Sequence, residues 1–214
     1  YEGFCMGFLT QLSQECYPNM EGLIKKSFLK PQLLKNENYL KQQPKQPGPN
    51  FVPFEHFWLK SGPYVYPPRE SDYNFVTTKS VKNHLKNLAR IIKIGRYPVL
   101  LQGPTSSGKT SMVSHLARIT NHRFVRINNH ESTDLQEYFG SYVTTPDGKL
   151  VFQEGILVEA VRNGYWIVLD ELNLAPSEIL EALNRLLDDN RELFIAETQE
   201  LIKPHPDFQL FATQ

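Results

Sequence analysis

Two stretches of this chain carry residue types at spacings that suit phosphate and metal chemistry. The first is GPTSSGKT, residues 103–110, which satisfies G-x-x-x-x-G-K-[ST] with Gly103, Gly108, Lys109 and Thr110 in the fixed places. Backbone N–H groups of such a loop converge on phosphate oxygens only where no Cβ intrudes, and a helix starting behind the loop presents its positive end to the same anion. The candidate nucleotide-binding residues are therefore Gly103, Pro104, Thr105, Ser106, Ser107, Gly108, Lys109, Thr110 and Ser111. Lys109 is expected to reach the β- and γ-phosphates and the Thr110 hydroxyl to ligate Mg²⁺. Val76, further upstream, is one more candidate nucleotide contact.

The second stretch is WIVLDELN. Trp166 to Leu169 make an apolar run suited to a buried strand, and Asp170 and Glu171 emerge at its carboxyl end, where ligands bind in open α/β sheets. Two adjacent acids can divide labour: Asp170 orients Mg²⁺ or its water, and Glu171 polarises the attacking water. Binding alone would need one acid, so the pair favours ATP hydrolysis over storage. A third candidate is INNH, where Asn128 or Asn129 follows a strand and could hydrogen-bond Glu171, holding the base off the water; Asn129 is taken as the catalytic candidate. Asparagine favouring a turn explains the same residues.

These groups need a strand, a loop and a helix in fixed order, and the sequence supplies them. YPVLLQ reads as a buried strand ahead of the loop, and KTSMVSHLARIT as a helix with Met112, Val113, Leu116 and Ala117 on one face. RFVRIN is a second strand. Thr133 with Gln136 has the spacing of a capping box for a short helix ending at Gly140. SYVTTPDGKLVFQ reads as a hairpin turning at Pro146, Asp147 and Gly148, and GILVEAVRNG as a helix closed by Gly164. Pro176 suits the start of a helix carrying Ile179, Leu180, Leu183, Leu186 and Leu187. ELFIAE and ELIKP form a second hairpin before the strand FQLFAT. Strands alternating with helices imply a parallel sheet covered on both faces, an α/β fold.

Upstream the signals differ. Residues 1–45 carry apolar residues at mixed helical spacing interrupted by Pro18 and Pro31, which predicts short helices. Residues 46–72 are rich in Pro, Gly and aromatics, which predicts a connector without regular elements, packed along a globular surface rather than free. Val81, Leu85, Leu88 and Ile92 then repeat at helical spacing, with Gly95 as the stop. The candidate ATPase region runs over residues 73–214.

Composition narrows the classes. Among 214 residues, 23 basic and 23 acidic side chains give no net charge, so the strong field of many nucleic-acid binders is missing and no direct nucleic-acid contact is expected. Lys25, Lys26, Lys30, Lys35, Lys41 and Lys45 form one basic run, which reads as a solvated face. No apolar run approaches the roughly 20 residues of a membrane span. Cys5 and Cys16 lack metal-type spacing and read as reduced thiols, and the six histidines add no zinc pattern. A nucleophilic elbow is also absent. The chain starts at Tyr1 with neither an initiator Met nor a leader, which reads as a piece of a longer polypeptide.

GPTSSGKT, WIVLDELNLAPSEILEALNRLLDDNREL and FQLFATQ together resemble the AAA+ ATPases of the dynein-related and MoxR-like branch. Within it the chain is similar to modules of the giant nuclear members that assemble the large ribosomal subunit. The resemblance implies a P-loop αβα core with two hairpin inserts, matched by residues 141–155 and by ELFIAETQELIKP. It also implies ATP and Mg²⁺ as cofactors, neighbouring AAA+ modules of the same chain and pre-60S particles with their assembly factors as partners, and a nuclear, nucleolar setting. Residues 1–45 would be the lid of a preceding module. The sensor Asn that usually follows ATQ, the fifth core strand, the C-terminal lid and the arginine finger would lie beyond Gln214; Arg185 and Arg191 either face a neighbour's nucleotide or are surface charges. The rival expectations are a nucleotide clamp without turnover, a MoxR-type chaperone and a dynein-like motor module.

Overall fold

The computed structural model describes residue 9 and residues 12–28, 43–67, 75–95, 97–130 and 133–214. Cys5, Lys30, Lys35, Lys41 and the helical readings over residues 29–42 lie outside the described residues. The chain divides into two units, one of Tyr1–Ser61 and Asn74–Arg96, the other of Gly62–Tyr73 and Tyr97–Gln214. No helix among the described residues is long and apolar enough to cross a membrane.

In the first unit a short 3-10 turn, Gln14–Cys16, leads into α1, Tyr17–Phe28. Leu9 and Ile24 are buried together, with Met20 packed against them. The stretch expected to be an irregular connector contains a hairpin instead: β1, Phe51–Phe54, pairs antiparallel with β2, Phe57–Lys60. Alternation on β2 buries Phe57 and Leu59, and Pro53, which cannot donate to a ladder, is tolerated because a two-stranded ribbon has only edges. The Trp58 indole donates to the Pro44 carbonyl at 2.7 Å, so one proline of this stretch serves as an acceptor. α2, Lys79–Ile94, is the helix expected from the apolar spacing. Thr78 Oγ1 caps it by accepting from the Val81 N–H, Gly95 ends it at φ 64°, and Leu85, Leu88 and Ala89 are its buried stripe.

The second unit is α/β. In chain order it has β3 (Val99–Leu101), α3 (Lys109–Ile119), β4 (Phe124–Asn128), α4 (Leu135–Phe139), β5 (Gly140–Thr144), β6 (Leu150–Glu154), α5 (Ile156–Asn163), β7 (Trp166–Asp170), a 3-10 turn (Leu172–Leu174), α6 (Ser177–Leu187), β8 (Leu193–Ile195), β9 (Glu200–Ile202) and β10 (Gln209–Thr213). Among these, β3, β10, β7 and β4, in that spatial order, make one parallel sheet. Every residue of β7 and β10 is buried, as strands covered on both faces must be. Ile167 and Leu169 join Leu157, Val158, Ile179 and Leu183 of α5 and α6 in one core. The intervening Val168 and Asp170 point to the other face, where α3 packs against β4, β7 and β10.

The two hairpins form as the sequence predicts. β5 and β6 pair around a turn at Pro146 and Asp147, closed by the Gly148 N–H donating to Thr145 O at 2.9 Å, and β8 pairs with β9. Two local expectations need correction. The cap of α4 is Asp134, whose carboxylate accepts from the Gln136 N–H at 3.0 Å; Thr133 Oγ1 is instead engaged with the His130 backbone on both sides. On α6 only Ile179, Leu183 and Leu186 are buried, while Leu180 and Leu187 remain exposed, so the apolar face is narrower than its leucine count suggests.

Candidate functional site

The loop from Gln102 to Gly108 ties the end of β3 to the start of α3. Gly108 occupies the N-cap at φ 83°, a left-handed conformation that a Cβ would strain, and this turns the chain so that α3 begins with Lys109 and Thr110. No side chain caps the helix, so its first N–H groups are left facing the cavity. A cleft of about 330 Å³ opens there, lined by Thr105 to Ser111, Arg126, Asn128, Asp170, Glu171, Thr213 and Gln214. The candidate loop residues from Thr105 onward are thus brought together. Gly103 and Pro104 are held at the loop's base, where their carbonyls accept from Lys109 Nζ at 2.8 and 2.9 Å. Val76 belongs to the other unit and is 79% exposed.

Asp170 is the hub. It is 4% exposed, and its Oδ1 accepts from the Thr110 hydroxyl at 2.7 Å and from the Thr213 hydroxyl at 2.9 Å. Its Oδ2 is buried and accepts no hydrogen bond among the described residues; the guanidinium of Arg126 lies against it through Nε as an ion pair that is not aligned as a hydrogen bond. A buried carboxylate oxygen without a donor, next to a hydroxyl, is a hard oxygen set of the kind Mg²⁺ takes, with room for the waters that ion keeps. The residues present therefore fit the metal that the loop implies, and Thr110 and Asp170 are the ones that would hold it.

Glu171 follows at φ 51°, outside the strand's conformation, and its N–H donates to Thr213 Oγ1 at 3.2 Å. The left-handed turn breaks the strand and brings the exposed Glu171 to the cleft beside Asp170, a strained placement of the sort that functional sites keep.

The expectation that Asn129 restrains Glu171 is not met. Asn129 is 1% exposed; its Nδ2 donates to the backbone carbonyl of Asp170 at 2.8 Å and its Oδ1 accepts from the Tyr138 hydroxyl at 2.6 Å. Burial pushes the Tyr138 hydroxyl up to about 12, against the opposing effect of its bond to Asn129, so the phenol stays a donor and fixes the amide's orientation. Asn129 is a brace behind the strand end. Asn128, paired opposite Asp170 in the sheet, is the asparagine that lines the cleft.

Sequence reasoning missed Arg126, Thr213 and Tyr138. The parallel register was the available signal for Thr213: Ala212 lies opposite Leu169, so the next residue falls beside Asp170. For Arg126 it was a lone cation inside the apolar strand FVRIN.

Comparison with known proteins shows the family. Residues 98–214, more than half of the chain, match the family model described as an AAA domain of the dynein-related subfamily, and residues 1–31 match that of the Midasin AAA lid domain. The chain is 56% identical to Midasin of Dictyostelium discoideum over its full length, which is 4% of that relative. It is 55% identical to Midasin of Giardia intestinalis over 68% of the chain and 3% of the relative. It is 37% identical to the denitrification regulatory protein NirQ of Stutzerimonas stutzeri over 53% of the chain and 41% of the relative.

Proposed function

We propose that this chain, which belongs to the dynein-related AAA domain family, is an ATP-binding and ATP-hydrolysing module of a large remodelling machine. The observation that carries the reading is the joining of the loop helix to the acidic strand end through one buried carboxylate: Thr110 and Thr213 both donate to Asp170 Oδ1. Bound Mg²⁺ would neutralise charge on the transferring phosphoryl group. The chain's own residues do the rest. N–H groups of Thr105 to Lys109 and the start of α3 bind the phosphates. Lys109 exchanges the Gly103 and Pro104 carbonyls for phosphate oxygens, a move of its flexible stem that leaves the loop in place. Thr110 and Asp170 would hold the metal, and Glu171 would take a proton from the attacking water.

The finer reading rests on the similarity to midasin and on the order of the matched segments. A lid-domain match over residues 1–31 ahead of an AAA match over residues 98–214 supports residues 1–45 as the lid of a preceding module, residues 46–72 as the bridge, and residues 73–214 as the core of the next. Neighbouring modules of the same chain are then the immediate partners. Pre-60S particles in the nucleus, stripped of assembly factors, are the proposed substrate.

The test is binding of a fluorescent ATP analogue to the parent chain with Mg²⁺ present, for wild type and Lys109→Ala in this module alone. Loss of one bound nucleotide per chain supports the assignment. Unchanged stoichiometry and affinity would place nucleotide binding elsewhere.

A further inference from the structure

A carboxylate that is 4% exposed sits at the centre of the cleft, and an ionised group so placed is costly unless a cation or donors compensate it. Two hydroxyls satisfy Oδ1. Among the described residues, Oδ2 has no hydrogen-bond donor and has the Arg126 guanidinium against it as an ion pair. Arg126 stands on β4 opposite Val168, two residues before Asn128 meets Asp170, so its long side chain runs forward along the strand to the carboxylate. Its own side chain is 52% exposed and forms part of the cleft lining, so it can leave toward solvent or toward a bound anion without unpacking the core.

The face of Asp170 that Arg126 covers is the face left over for a divalent metal. We propose that Arg126 is a resident cation that compensates Asp170 before nucleotide arrives and must be displaced for Mg²⁺ to load. It is a positioning residue: it keeps the carboxylate aimed at the cleft, and it sets how much Mg²⁺ the module needs. This rests on the ATPase reading above. An ordinary surface pair, worth little and screened by salt, would have both partners in water, whereas here one partner is buried and the other bridges to it from the cleft. A competitor that holds the site nine-tenths of the time raises the apparent metal requirement about tenfold.

The experiment titrates Mg²⁺ against a fixed concentration of fluorescent ATP analogue bound to the parent chain, for wild type, Arg126→Gln and Arg126→Lys in this module. Thermal stability of each is followed with and without Mg²⁺. The half-saturating Mg²⁺ is expected to fall about tenfold in Arg126→Gln and to fall less in Arg126→Lys, which keeps a charge without the reach of the fork. The Mg²⁺-dependent rise in Tm should be larger in Arg126→Gln, because the metal then supplies compensation that the protein has lost. A Mg²⁺ requirement that is unchanged or higher in Arg126→Gln overturns the inference alone, and should that variant fail to fold, a wild-type Mg²⁺ requirement in Arg126→Lys does the same. A wild-type module that binds no nucleotide at any Mg²⁺ overturns the ATPase reading and this inference with it.

Discussion

The two ends of the loop helix, α3, treat their polar groups in opposite ways. At its carboxyl end the chain closes on itself. Gly62 N–H donates to Thr120 O at 2.8 Å, Tyr64 N–H to Asn121 O at 2.9 Å, and the Tyr66 hydroxyl to His122 O at 2.6 Å. Thr120 Oγ1 donates back to Leu116 O, Arg118 lies over the Tyr66 ring, and His122 stacks on Trp166. The helix's last carbonyls, of Leu116, Ala117 and Arg118, accept from the N–H groups of Thr120, His122 and Asn121, and the carbonyls of those three residues are in turn taken up by a strap of residues 62–66. At the amino end the first N–H groups have no capping side chain, and Asp170 Oδ2 is left without a hydrogen-bond donor among the described residues. One end is built to stay as it is, and the other keeps bonding capacity in reserve for a ligand. What the amino end holds in reserve is backbone N–H groups and one buried carboxylate oxygen, which suit an anion and a cation side by side.

That contrast makes separable predictions. The largest effect is expected from Asp170→Ala, which removes the acceptor of both hydroxyls and the metal's carboxylate together. Mg²⁺-dependent nucleotide binding should weaken by at least about 100-fold, measured by analogue titration of the parent chain. At the strap end, Gly62→Ala places a Cβ 2.5 Å from Asn121 O, closer than a Cβ approaches a non-bonded atom, so the strap or the helix end must shift. Denaturant unfolding should show a loss of about 1–3 kcal/mol, while nucleotide affinity stays within about twofold of wild type. If Gly62→Ala weakened nucleotide binding as much as Asp170→Ala, the two ends would not be independent.

Asn129→Ala sits between these cases. It leaves the buried Tyr138 hydroxyl without its acceptor and the Asp170 carbonyl with one donor fewer, so stability should fall by about 1–3 kcal/mol. Turnover should fall too, through the loosened strand end, with no change in the pH dependence that a directly acting base would alter.

The smallest expected effect concerns pH. Burial of His115 on α3 pushes its pKa below the ordinary 6.5. The unfolded chain then binds the proton more readily than the folded one, so this contribution to stability is complete above about 6.5 and declines as pH falls below it. His115→Gln should flatten the drop in Tm between about pH 7 and 5.5 slightly.

Much of this was legible in the sequence because it depends on local rules. The glycine-rich loop between an apolar strand and an amphipathic helix, the acids after four apolar residues, and the Pro-Asp-Gly turn each declare themselves within a few residues. The buried brace of Asn129 and Tyr138 did not, because it joins residues nine apart whose side chains meet only after α4 has packed. Arg126 and Thr213 reach Asp170 across three strands, and only the sheet register brings them there. The β1–β2 hairpin was hidden by Pro53, which argues against a central strand but not against an edge. Thr133 has the spacing of a cap, but its hydroxyl is taken by the His130 backbone and the helix starts one residue later, behind Asp134.

The central claim is that this cleft turns ATP over rather than holding it. The direct measurement is ATP turnover by the parent chain carrying Glu171→Gln in this module alone, with bound nucleotide quantified in the same sample. A fall of at least about tenfold with nucleotide still bound is the predicted result, since the strained strand end would then present an amide where the water needs a base. Unchanged turnover with nucleotide retained would contradict it and make the module a nucleotide clamp.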